Sequence, residues 1–77
     1  SAKDALVVPL EALAELEDGT TAVYTVTDAG TVHIVPVTLG LETDLQAEIK
    51  SDEIKEGQTI ILNPGAAMTE GMAVTVQ

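Results

Sequence analysis

Two runs of strand-forming residues, joined by Asp28-Ala29-Gly30, constrain this chain most. Residues 21–27 and 31–41 are rich in Val and Thr, which fit a pleated, half-buried surface. A three-residue connection ending in glycine is a common hairpin loop, because glycine enters the left-handed conformation without a Cβ clash. Ala22, Tyr24 and Val26 then share one face of the first strand, and Val23, Thr25 and Thr27 the other. The second run changes parity. Val32 and Ile34 are in phase with each other, whereas Val35, Val37, Leu39 and Leu41 take the opposite phase. A bulge or bend near Pro36 reconciles both sets with one core, and a residue without an N–H belongs at an edge or a bulge. Gly40 marks a second bend.

The flanks extend this pattern. Leu6-Val7-Val8, ending at Pro9, predicts a short strand held extended by the proline. Leu10, Leu13 and Ala14 recur at helical spacing before Asp18-Gly19, which predicts one or two helical turns over residues 10–16. Leu45, Ala47 and Ile49 alternate with Gln46, Glu48 and Lys50, the pattern of a sheet with one wet face. Residues 51–57 are polar apart from Ile54 and read as a connector with one anchor. Residues 59–62 predict a strand, Asn63-Pro64-Gly65 a turn, and Met72, Val74 and Val76 a final strand. The expected fold is all-β: a small antiparallel β-roll, barrel or sandwich of five to six strands with one short helix, in a single domain over residues 1–77.

Composition limits what such a domain can do. At 77 residues it buries only ~60% of its unfolded surface. It has no Cys, Phe or Trp, so the core falls to Val, Leu, Ile, Ala and Met, with Tyr24 the only aromatic ring besides His33. A core of this kind suggests a piece that leans on neighbours. The net charge is −10, with Lys3, Lys50 and Lys55 the only cations, so there is no basic face for nucleic acid or for anionic lipid. No apolar stretch approaches the ~20 residues of a membrane span. Ser1-Ala2 reads as a vector remnant.

The residues for catalysis are missing as well. His33 is the one histidine and sits mid-strand between apolar residues; Ser1 and Ser51 are the only serines, neither in a nucleophile context. His33 therefore reads as a surface or rim histidine. Glu15-Leu16-Glu17-Asp18 and Asp52-Glu53-Ile54-Lys55-Glu56 lack the alternating ligands of a calcium loop. Lys50 and Lys55 do not fit the hairpin-tip lysine of a lipoyl or biotinyl carrier. No catalytic, cofactor-binding or metal residue is expected, and no cofactor.

Six short segments, in order, carry a resemblance. They are Val7-Val8-Pro9 followed by Ala12, Ala22-Val23-Tyr24-Thr25-Val26, Val35-Pro36-Val37-Thr38-Leu39-Gly40, Ala47-Glu48-Ile49, Ile54-Lys55-Glu56-Gly57-Gln58-Thr59-Ile60-Ile61 and Glu70-Gly71-Met72-Ala73-Val74. Together they resemble the C-terminal, membrane-proximal domain of membrane fusion proteins, the HlyD-like periplasmic adaptor subunits of efflux and export pumps. The family's Val-x-Val-x-x-Gly, Lys-Glu-Gly-Asp-x-Val-Val and Asp-Gly-Met-x-Val patterns are the ones matched. The chain departs from the family at Ser51-Asp52-Glu53-Ile54, where Ser-Gly-Leu is common. The resemblance implies a fragment of a larger adaptor, without the coiled-coil hairpin and lipoyl domain. It also implies an extracytoplasmic location, membrane association through the parent protein, a homo-oligomeric ring, and contact with an inner-membrane transporter subunit such as an ABC permease. The function it implies is coupling and assembly, not turnover. Two other readings compete: a small extracellular carbohydrate- or peptide-binding β-domain, which needs an exposed aromatic platform, and an enzyme fragment with carboxylate chemistry.

Overall fold

The computed structural model describes residues 5–75, arranged as two three-stranded antiparallel sheets. The strands are β1 (Ala5–Pro9), β2 (Leu13–Glu15), β3 (Thr21–Val26), β4 (Val32–Pro36), β5 (Thr38–Glu42) and β6 (Gln46–Lys50). One sheet has the order β1-β6-β5 and the other β2-β3-β4. The all-β expectation holds. Ser1 and Val76 lie outside the described residues.

The hairpin forms as its loop demands. Gly30 has φ +79°, its N–H donates to Thr27 O at 2.9 Å, and Thr27 N donates to Thr31 O at 2.9 Å. β3 and β4 then pair from Val26↔Val32 to Ala22↔Pro36. The parity change at Pro36 has a larger cause than a bulge. Val37 separates β4 from β5, and the chain passes there from one sheet to the other. Pro36 occupies the β4 edge, where no ladder partner asks for its missing N–H. The bulge itself lies at Gly40 and Leu41, which together oppose Glu48 between the pairs Leu39↔Ile49 and Glu42↔Ala47.

The helical expectation over residues 10–16 is corrected. A single 3-10 turn covers Leu10–Ala12, and Leu13–Glu15 is extended as β2. Two turns of helix are too few to hold without tertiary support, and pairing with β3 through Leu13↔Val23, Ala14↔Ala22 and Glu15↔Thr21 wins. The 3-10 turn carries the chain from one sheet to the other and buries Ala12 completely.

Between the sheets, Val8, Ala12, Val23, Val35, Ile49 and Ile54 form one apolar cluster, with Leu6, Leu13, Val37, Leu39 and Ile60 packed around it. Ala47 and Ile49 point inward as their alternation predicts, but Leu45 and Leu41 do not. Leu45 precedes β6 in the turn and is 78% exposed; the bulge turns Leu41 outward, 81% exposed. β3 is buried on both faces, from Ala22 through Thr25. Each buried aliphatic side chain contributes about 1.5–3 kcal/mol of transfer free energy.

The expected strand over residues 59–62 and the described part of the final one, residues 72–75, reduce to isolated bridges, Thr25↔Ile60 and Thr31↔Ala73. They complete two edges nonetheless. Val26 N donates to Thr59 O and Ile61 N to Tyr24 O, which fills the β3 edge beyond the end of β2. Val74 N donates to Gly30 O, Val32 N to Met72 O and Gly71 N to Val32 O, which covers the start of the outer β4 edge.

Candidate functional site

The outer β4 edge continues into a polar cluster that, alone among the described residues, joins side chains from distant parts of the chain. After Val32, the next outward N–H on β4 is that of Ile34. It donates to a side chain, Glu70 Oε1, at 2.8 Å. The next outward position is Pro36, which has none. Backbone, carboxylate and proline thus close the edge in turn, a common protection against unwanted strand pairing.

Glu70 has a second oxygen to place. His33 Nδ1 donates to Glu70 Oε2 at 2.9 Å, and His33 Nε2 meets Glu53 Oε1 at 3.0 Å. The strand pattern explains the meeting. His33 shares a face with Val35 and lies opposite Thr25, at the end of the sandwich that residues 51–57 close. Ile54 is 4% exposed and anchors that connector in the core, so its neighbour Glu53 is carried to the rim. Thr25 is fully buried, and its hydroxyl donates to His33 O at 3.1 Å.

The electrostatics follow from these contacts. The Glu70 carboxylate, and secondarily Glu53, holds the His33 imidazole above its ordinary pKa of 6.5. His33 in turn, with the Ile34 N–H, holds Glu70 below 4.5. An ionised carboxylate only accepts hydrogen bonds, so both ring contacts are satisfied together only when the imidazole carries two protons. The cluster stores a charge at the rim, with both carboxylates 59% exposed. The carboxylates lie on opposite sides of the ring. Among the described residues no three His, Cys, Asp or Glu side chains are arranged to hold a metal ion.

The other candidates have local duties. Ser51 Oγ accepts the Glu53 N–H at 3.0 Å. In the first acidic group, Thr20 holds the Asp18 carboxyl below its usual 3.8, through its side chain first and its N–H second. Lys50 ends β6 and Lys55 opens a turn closed by Gln58 N donating to Lys55 O at 3.2 Å. Tyr24 is only 8% exposed, so the chain's one phenolic ring offers no stacking platform. Reading the sequence placed His33 at a rim but missed Glu53 and Glu70, which are 20 and 37 residues away.

A second feature lies on the outer face of the β1-β6-β5 sheet. Val7 pairs with Glu48 on β6, and the bulged Gly40 and Leu41 face Glu48 from the other side. A Cβ at Gly40 would run into the Glu48 carboxylate, so the glycine lets that side chain lie across β5. Val7 is 58% exposed, and with Leu41 it borders a shallow depression of about 160 Å3. This face bears Ala5, Val7, Pro9, Thr38, Gly40, Leu41, Gln46, Glu48 and Lys50 by register, with one acid and one base. On a chain with 13 acidic residues, that is a patch with few charges and none net. No helix among the described residues is long and apolar enough to cross a membrane.

The family model described as YknX, C-terminal permuted SH3-like domain, matches residues 5–76. No curated protein and no solved structure matches the chain.

Proposed function

The chain belongs to the family of YknX C-terminal permuted SH3-like domains, a domain of membrane fusion proteins, and from that premise we propose that it is a non-catalytic assembly and coupling module of an efflux or export adaptor. Residues 1–77 form one domain of a longer, HlyD-like protein and occupy its membrane-proximal part. The parent protein is extracytoplasmic, is tied to the cytoplasmic membrane and assembles as a homo-oligomeric ring. This module rests on the extracytoplasmic face of a transporter subunit, such as an ABC permease.

The family match over residues 5–76 carries this reading. The outer face of β1-β6-β5, which carries one acid and one base by register, supports it and supplies the contact. Val7 and Leu41 expose apolar surface that the fold does not need, flanking the one carboxylate of the row, Glu48. Interfaces are poorer in charged residues than the rest of a protein surface, and this face presents two, Glu48 and Lys50. The carbohydrate-binding alternative loses its platform because Tyr24 is buried.

The test is co-purification of the full-length parent with its transporter, wild type against Val7→Asp/Leu41→Asp. The double variant is expected to lose capture while folding normally. Equal capture by both proteins would overturn the proposed contact.

A further inference from the structure

Residues 51–57 are tied to the rest of the fold at two points of different kinds. Ile54 is held by the core. Among the described residues, the hydrogen bond between this connector and another element is His33 Nε2 donating to Glu53 Oε1 at 3.0 Å. Its other bonds are local: Glu53 N to Ser51 Oγ, Lys55 N to Gln58 Oε1 and Gln58 N to Lys55 O. Glu53, Lys55 and Glu56 also border a depression of about 510 Å3 shared with Val26, Thr27 and Asp28.

The two carboxylates that flank His33 are not equally free. Glu70 is pinned by a second donor, the Ile34 N–H at 2.8 Å, whereas Glu53 has no second side-chain bond among the described residues. A neutral imidazole has one N–H and must leave one carboxylate facing a nitrogen lone pair. Placing that N–H on Nε2 would set the Nδ1 lone pair against Glu70, which cannot swing aside without surrendering Ile34. Placing it on Nδ1 costs only the Glu53 contact. Among the described residues no other charge competes at the ring: Glu70 comes from the C-terminal segment and Glu53 from the connector, β3 presents Thr25, and the neighbours on β4 are Val32 and Ile34.

We propose that His33 is a proton-operated latch: the imidazolium ties the 51–57 connector to β4, and loss of one ring proton frees the connector at Glu53 while Glu70 stays docked. Opening of the latch loosens the closure over the end of the sandwich and widens the depression beside it. The device does not depend on what the domain docks against.

The test uses two readouts on the 77-residue chain from about pH 5 to about pH 9, which spans the histidine transition. As the one histidine, His33 gives unambiguous ring nitrogen signals. They should report one transition above 6.5, ending in the Nδ1–H tautomer. Backbone amides of residues 53–56, corrected for intrinsic exchange, should then open several-fold more often. Amides of residues 70–72 should hold steady. In Glu53→Gln the connector amides should lose this dependence and the His33 transition should fall toward 6.5. The latch is overturned by an Nε2–H tautomer at high pH, by connector amides indifferent to the transition, or by a Glu53→Gln variant that behaves as the wild type.

Discussion

Glu70 and His33 stand 37 residues apart, yet their side chains meet at 2.9 Å, and the same carboxylate accepts the Ile34 N–H with its other oxygen. The pairing gives stability a pH window. Because His33 is raised in the folded state, its contribution is complete below about 6.5 and is lost as pH rises through the folded value above it. Because Glu70 is lowered, its contribution is complete above 4.5 and is lost as pH falls through the folded value below it. Urea midpoints should therefore plateau between the two and decline on both sides. Glu70→Gln keeps an acceptor for Ile34 but removes the charge, so it should flatten the decline on the alkaline side.

Ile49 is fully buried on β6, the middle strand of its sheet, between Leu6 and Leu39. Ile49→Ala removes apolar contacts and leaves a cavity that flanking strands can only partly close. Chemical denaturation should show a loss of about 2–5 kcal/mol. The same experiment on exposed Leu45→Ala should give a change within about 0.5 kcal/mol.

Two glycines separate backbone conformation from space. Gly30 has φ +79°, and an added Cβ would lie 3.7 Å from Val74 O, an ordinary contact. The obstacle is the left-handed backbone, so Gly30→Ala should cost about 1–2 kcal/mol. Gly65 has no positive φ and open space around it, so Gly65→Ala should be neutral or stabilise by up to about 1 kcal/mol. Thermal melts of the two variants decide the matter by opposite shifts.

The hairpin was legible because its determinants are local: Gly30 and the runs beside it dictate β3 and β4 without help from the rest of the chain. The same reasoning misassigned Leu13-Ala14-Glu15, where three residues of helical spacing follow the pairing offered by β3. Leu41 followed the alternation of Val35, Val37 and Leu39 on paper, but a bulge opposite Glu48 reverses its direction, and a bulge depends on the partner strand. Ile54 was recognisable as an anchor because it is the one apolar residue in a polar connector. The convergence of Glu53 and Glu70 on His33 had no such signal. It depends on how two connectors fold over the end of the sandwich, and no spacing rule links positions so far apart.

The outer face of β1-β6-β5 should tolerate change in isolation. Val7→Ser and Leu41→Ser alter side chains that are 58% and 81% exposed, so each should shift stability by no more than about 0.5 kcal/mol in urea titrations. A larger loss would place these residues in the support of the fold and not on a docking face.

Site-specific photocrosslinking in cells tests most directly whether that face meets a transporter. A photoreactive residue at Leu41 of the full-length parent is compared with one at Glu17, which is exposed in the turn between β2 and β3. The account predicts a crosslink from position 41 to the transporter subunit and none from position 17. Crosslinks to the transporter from position 17 alone, or from position 41 only to a second copy of the adaptor, would contradict it.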